Sequence, residues 1–215
     1  MAFSLAAVLL AAGRSSRMGR PKLLLPWGGT SVLGHLIYQW QALKAEQIAI
    51  VCATDDLLIQ AELDRLGFSA NDRVLNAAPE RGMFSSIRCA AQWPGWRSNL
   101  THWAIVLGDQ PHISRETLQT IVAFSAANPE RICLPKQGGH RRHPLILPRQ
   151  VFAQLANSEA IDLKAFLDSL PIPAAMCELN DPALELDIDT PEDYDRAVNL
   201  YQIRLTRPIC PILIY

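Results

Sequence analysis

Short aliphatic runs alternate along this chain with longer stretches whose apolar residues recur at helical spacing, and few folds accommodate that alternation. A run such as Leu5 to Ala11 is too short for a buried helix and is apolar on both faces, as a strand covered on both sides must be. Ser31 to Lys44 instead places Val32, Leu33, Leu36, Ile37, Trp40 and Leu43 on one helical stripe. Strand, loop and helix in repetition describe a mostly parallel sheet wrapped by helices. The same pattern predicts strands at Gln47 to Ala53, Arg73 to Asn76 and Trp103 to Leu107, and helices at Asp56 to Leu66, Met83 to Gln92 and Ser114 to Asn128. Gly67 stops the second helix, because glycine accepts positive φ. Ile132 to Pro135 and Pro144 to Leu147 read as further strands, candidates for antiparallel pairing. Thr190-Pro191-Glu192-Asp193 combines an N-cap threonine, proline at the first helical position and acids in the first turn, which predicts a helix to about Ile203.

A chain of 215 residues suffices for one α/β domain with a substantial core. No linker or repeat divides it, so the expectation is a single domain over 1–205 followed by a tail, 206–215, of unassigned role. With a net charge of −1 and 19% charged residues, neither a basic excess for nucleic acid nor an acidic block for disorder exists. Cys52, Cys89, Cys133, Cys177 and Cys210 are scattered at no metal-ligand spacing, as reduced cytoplasmic thiols would be. The apolar N-terminus lacks a basic leader and reads as a buried strand rather than a targeting segment. No run approaches the ~20 apolar residues that cross a bilayer. The final IRLTRPICPILIY is neither a good helix nor a polar tail, and edge strand, interface segment or unstructured end all stay open for it. Monomer and homodimer therefore both stay open.

In open α/β sheets, ligands collect beyond the carboxyl ends of strands, which directs attention to Ala12 through Lys22. There Gly13 and Gly19 permit close backbone approach, while Arg14, Arg17 and Lys22 can neutralise a triphosphate, with Ser15 in the same loop. Lys22 is followed by Leu23 rather than Ser or Thr, so this is no Walker loop, and no G-x-G-x-x-G occurs. A merely solvated loop is the plainer reading, but its cations stand directly after a buried first strand. Trp103 to Leu107 delivers Asp109 to the same sheet edge, and magnesium is typically held by one or two carboxylates plus phosphates and waters. A solvated turn aspartate competes with that reading, because Gly-Asp-x-Pro is also ordinary turn chemistry. From Asp187-Ile188-Asp189 we select Asp187 as a second metal ligand and give Asp189 a structural or supporting role. His140 and His143 have the spacing of a metal pair but no companion ligand. Trp93, Trp96 and Trp103 read as packing rather than as a stacking platform.

The strings LLAAGRSSRMGRPKLLLP, NAAPERGMFSSI, VLGDQP, the His143-Pro144 step and DIDTPEDY, in that order, resemble the molybdenum cofactor nucleotidyltransferase family. The AAG form and the GM-x-x-SI segment are most similar to its cytidylyltransferases, and the resemblance covers roughly Ala6 to Val198. It implies a Rossmann-like three-layer fold with a mostly parallel mixed sheet. It also implies magnesium-dependent transfer of CMP from CTP to the phosphate of molybdopterin, with release of pyrophosphate. Arg17 and Lys22 would lie on the phosphates, Ala11, Ala12 and Gly13 near the base, and Gly82 and Ser86 beside it. Asp109 and Asp187 would hold the metal. Related sequences usually carry glycine before His-Pro, whereas here Arg142 precedes His143 and Pro144. The extra cation suits an anionic acceptor or marks a different one, and His143 would shape the acceptor pocket. The competing readings are a guanylyltransferase, another cytidylyl or sugar-phosphate transferase, and an accessory protein that hands cofactor to a molybdoenzyme without turnover. All the enzymatic readings require Lys22 and Asp109 to share one cleft.

Overall fold

A computed structural model of the chain describes residues 2–13, 18–171 and 173–206. Its centre is an eight-stranded sheet built around β1 (Leu5–Leu10), which pairs in parallel with β4 (Gln47–Ala53) on one side and β6 (His102–Leu107) on the other. Beyond β4 lies β5 (Arg73–Asn76), also parallel. Beyond β6 the direction reverses at β9 (Leu145–Pro148), which is antiparallel to β6 and to β7 (Cys133–Gln137). At the edge, β10 (Ala175–Glu178) runs parallel to β7, and the short β8 (His140–Arg141) folds back against β7. The sheet is therefore mixed and mostly parallel, as the alternating pattern predicts.

Strand alternation divides the core into two layers. Leu5, Ala7, Leu9, Ile48 and Ile50 face one side. There they meet α1 (Val32–Ala42), α2 (Leu57–Arg65), α4 (Arg115–Ala127) and α7 (Pro191–Thr206) through Trp40, Leu63, Ile121 and Ala197. Ala6, Val8, Val51 and Ile105 face the other side, toward α3 (Met83–Gln92), α5 (Arg149–Leu155) and α6 (Leu163–Asp168). Three layers result. Trp103 stacks on Phe152 with ring centroids 4.6 Å apart, and Trp96 stands edge-on to both Trp93 and Trp103, so these rings pack rather than present a platform.

The caps follow the sequence. Ser31, Asp56 and Ser114 each accept a backbone N–H from the first turn of α1, α2 and α4. Before α7, the Thr190 hydroxyl accepts from the Asp193 N–H at 3.2 Å and the Asp193 carboxylate accepts from the Thr190 N–H at 3.1 Å, a reciprocal box. Several short elements differ from the expectation. The hairpin of β2 (Pro26–Trp27) and β3 (Thr30–Ser31) turns on Gly28-Gly29, whose positive φ values suit a tight two-residue turn. β10, α5 and α6 also form where the sequence carries no clear period, since each is fixed by packing on its neighbours. Among the described residues no helix is long and apolar enough to cross a membrane.

Every parallel strand end points to one edge of the sheet, and there the chain just after β6 passes close to the end of β1. A Cβ on Gly108 would stand 2.8 Å from both the Leu10 carbonyl oxygen and Leu23 Cδ2. Gly108→Ala should accordingly cost about 1–3 kcal/mol by overpacking, seen as a lower urea midpoint with an unchanged m-value.

Candidate active site

After β1 the chain continues through buried Ala11 and Ala12 to exposed Gly13. Arg14, Ser15 and Arg17 lie outside the described residues, as do tail residues 207–215. The loop is described again from buried Met18, passes Gly19, and enters a short 3-10 turn, Lys22–Leu24, that inserts Leu23 against Gly108. That packing brings the two predicted partners together. Lys22 Nζ donates to Asp109 Oδ2 at 2.8 Å, with side-chain exposures of only 16% and 21%.

The C-terminal acids reach the same point. The Ile188 N–H donates to the Asp109 carbonyl oxygen at 3.0 Å, which joins the segment before α7 to the end of β6. Lys22 Nζ also donates to the Ile188 carbonyl oxygen at 3.2 Å and lies 3.5 Å from Asp189 Oδ1. Asp187 is oriented by Gln110, whose Nε2 donates to Asp187 Oδ1 at 2.9 Å. Desolvation pushes the Asp187 pKa up, and repulsion from Asp109 adds to the shift. Among the described residues, Asp109 Oδ1 is buried with no hydrogen-bond partner.

An orphaned carboxylate oxygen beside a second carboxylate under like-charge repulsion is a donor set suited to a divalent cation. Among the described residues no group of three or more His, Cys, Asp or Glu is arranged to hold a metal. A cation at Asp109 and Asp187 would therefore draw its other oxygens from a ligand and from water.

Beside Lys22 and Asp109 opens a cleft of about 340 Å³. Ala12, Gly13 and Leu10 form one wall, Pro79, Glu80, Gly82, Met83 and Ser86 the other. Gly82 has φ +85 with open space where a Cβ would stand, so its backbone conformation, not crowding, calls for glycine there. It precedes α3 without a side-chain cap. The wall is held by Asn76, which donates to Ser85 and Ser86 and accepts from the Ala78 N–H. Asn76 and Gln110 escaped the sequence reading. The available signals were the place of Asn76 at the end of β5 and that of Gln110 next to Asp109 in the loop after β6.

The His-Pro step lies on the β9 side of Asp109. Burial lowers the His143 pKa, while an Ile105 backbone hydrogen bond and the Asp109 charge act in the opposite direction. Pro144 is buried next to it, and Arg142 Nη2 lies 3.3 Å from Glu185 Oε1. Of these three residues, His143 is the one whose charge interaction reaches Asp109, while Arg142 pairs with Glu185.

A family model described as the MobA-like NTP transferase domain matches residues 7–173. A probable molybdenum cofactor guanylyltransferase of Thermococcus sibiricus is 30% identical over 139 residues, 64% of this chain and 65% of its own length. The chain thus spans slightly under two thirds of that relative. The Rv0371c protein of Mycobacterium tuberculosis superposes with a TM-score of 0.73 at 26% identity, covering 93% of this chain and 100% of that one. Its structure in complex with manganese gives 0.66 at 25% identity, with 91% and 98% covered. A Methanothermobacter nucleotidyl transferase shares the fold at a TM-score of 0.75 and 18% identity, over 94% of this chain and 99% of that one.

Lys22→Met leaves Asp109 and its acidic neighbours facing one another without their cation, and should destabilise the chain by about 1–3 kcal/mol. Adding Asp109→Asn should recover part of that loss in a double-mutant cycle read by urea unfolding. Millimolar manganese should recover part of it in the single variant only.

Proposed function

The chain belongs to the MobA-like NTP transferase domain family, and on that premise we propose that it transfers CMP from CTP to the phosphate of molybdopterin and releases pyrophosphate, with magnesium as cofactor. The observation that carries this reading is the meeting of Lys22 and Asp109 at 2.8 Å beside a cleft at the carboxyl ends of β1 and β6. In the proposed reaction an acceptor phosphate oxygen bonds to the α-phosphorus of the nucleotide while the bond to the bridging oxygen of the β-phosphate breaks. The electron pair leaves with pyrophosphate. An acceptor phosphate is already ionised near neutral pH, so no enzyme nucleophile and no strong base is needed, and the chain's work is positioning and charge neutralisation.

Lys22 exchanges its carboxylate partners for phosphate oxygens as the triphosphate enters, and Arg17, from the same loop, takes the phosphates with it. Asp109 and Asp187 hold magnesium, which when bound neutralises polyphosphate charge. Ala11, Ala12, Gly13, Gly82 and Ser86 enclose the nucleoside, with Arg14, Ser15 and Gly19 completing the loop around it. Arg142, His143 and Pro144 form the acceptor side, where Arg142 trades Glu185 for the acceptor's anion. The manganese complex of the mycobacterial relative supports a divalent ion in this fold. The whole of 1–205 acts as one domain in the cytoplasm, as monomer or homodimer, with a molybdoenzyme as the further partner.

Guanylyl transfer is the second reading, favoured by the likeness to the Thermococcus guanylyltransferase. The test is pyrophosphate release with each of four nucleoside triphosphates, against molybdopterin and simple phosphate acceptors. CTP with molybdopterin should be the productive pair, and Asp109→Asn should lower kcat on the order of 10²–10³-fold. Unchanged turnover in that variant defeats the metal assignment. Stoichiometric cofactor binding without pyrophosphate would make the chain an accessory protein instead.

A further inference from the structure

The orientation of one buried amide decides the direction of a hydrogen bond in the cleft wall. Asn76, 2% exposed, ends β5. Its Oδ1 accepts the Ala78 N–H at 2.9 Å, and because a backbone N–H can only donate, that bond fixes which end of the amide is which. Nδ2 therefore faces α3 and donates to Ser85 Oγ at 2.9 Å and Ser86 Oγ at 3.0 Å. Ser85 uses its own proton on the carbonyl oxygens of Gly82, at 2.8 Å, and Ala78, at 3.2 Å. Ser86 has no such outlet. It is 4% exposed and lines the cleft, and among the described residues its hydroxyl donates to no protein acceptor. Asn76 presents only a donor to it, so the Ser86 proton is left for whatever occupies the cleft. The uncapped first turn of α3 adds backbone N–H groups of the same polarity.

We infer that Asn76 is a specificity-positioning residue, which holds the Ser86 hydroxyl as a donor so that the nucleobase presents an acceptor, a ring nitrogen or a carbonyl oxygen, to this wall. The inference rests on the nucleotidyl-transfer reading. Asn76→Asp tests it, because aspartate keeps the shape and the acceptor for Ala78 but turns the Ser86 proton inward, away from the cleft. Calorimetry with magnesium compares the preferred nucleoside triphosphate with inorganic tripolyphosphate, which carries similar phosphates and no base. The nucleotide should lose on the order of tenfold in affinity relative to tripolyphosphate, and in a Ser86→Ala background the same substitution should leave that ratio unchanged.

Equal weakening of both ligands would assign the effect to the new charge and overturn the inference, as would a ratio change that persists without the Ser86 hydroxyl. Should Asn76→Asp fail to fold, Ser86→Ala alone decides: it should lower the ratio by a similar factor, and an unchanged ratio overturns the inference. A wild-type protein that binds no nucleoside triphosphate more tightly than tripolyphosphate would sink the nucleotidyl-transfer reading as well. Wild-type discrimination with unaltered ratios in the variants would remove only the role of Asn76.

Discussion

The close passage of Gly108, just after β6, against the Leu10 carbonyl and Leu23, with no side chain in the way, is the constraint on which the rest of the site depends. It lets Leu23 seat against the end of β6, and Leu23 in turn sets the neighbouring lysine onto Asp109. The Lys22 ammonium, from near the N-terminus, then faces Asp109 from mid-chain and Asp189 from near the C-terminus. Burial first, and repulsion from Asp109 second, push the Asp187 pKa up, and the Lys22 ammonium acts against that shift. Such a cluster holds opposite charge readily and gives it up readily, since a lysine is a flexible point charge rather than a fixed fork.

The sheet contributes a second constraint. Parallel strands send their carboxyl ends to one edge, so residues far apart in the chain converge without special turns. The reversal at β9 adds what a purely parallel sheet lacks. A strand running the other way carries its preceding loop to that same edge, and so His143 arrives within reach of the Asp109 charge. The two flanks of Asp109 are thus supplied by opposite strand directions.

Much of this was legible in the sequence, and the reasons are physical. β4, β5 and α3 fall where periodicity puts them, because buried strands and amphipathic helices write their burial into composition. The α7 cap was readable because threonine, proline and an acid each favour their positions locally. The convergence of Lys22 with Asp109 was inferable from strand ends alone. Asn76 and Gln110 were not, since an amide at or beyond a strand end has no signature until its partners are in place. β10, α5 and α6 were missed for a similar reason: they owe their form to the layer they cover rather than to their own residues.

The bond from the Ile188 N–H to the Asp109 carbonyl oxygen has a consequence for how this protein comes into being. A nascent chain emerging from the ribosome can complete the strands around β1 long before residue 188 appears. Until then the end of β6 has no strap across it, and Asp109 has neither Asp187 nor Asp189 beside it. In the order of synthesis, the segment that carries Asp187 and Asp189 is thereby the last of these parts to reach Asp109.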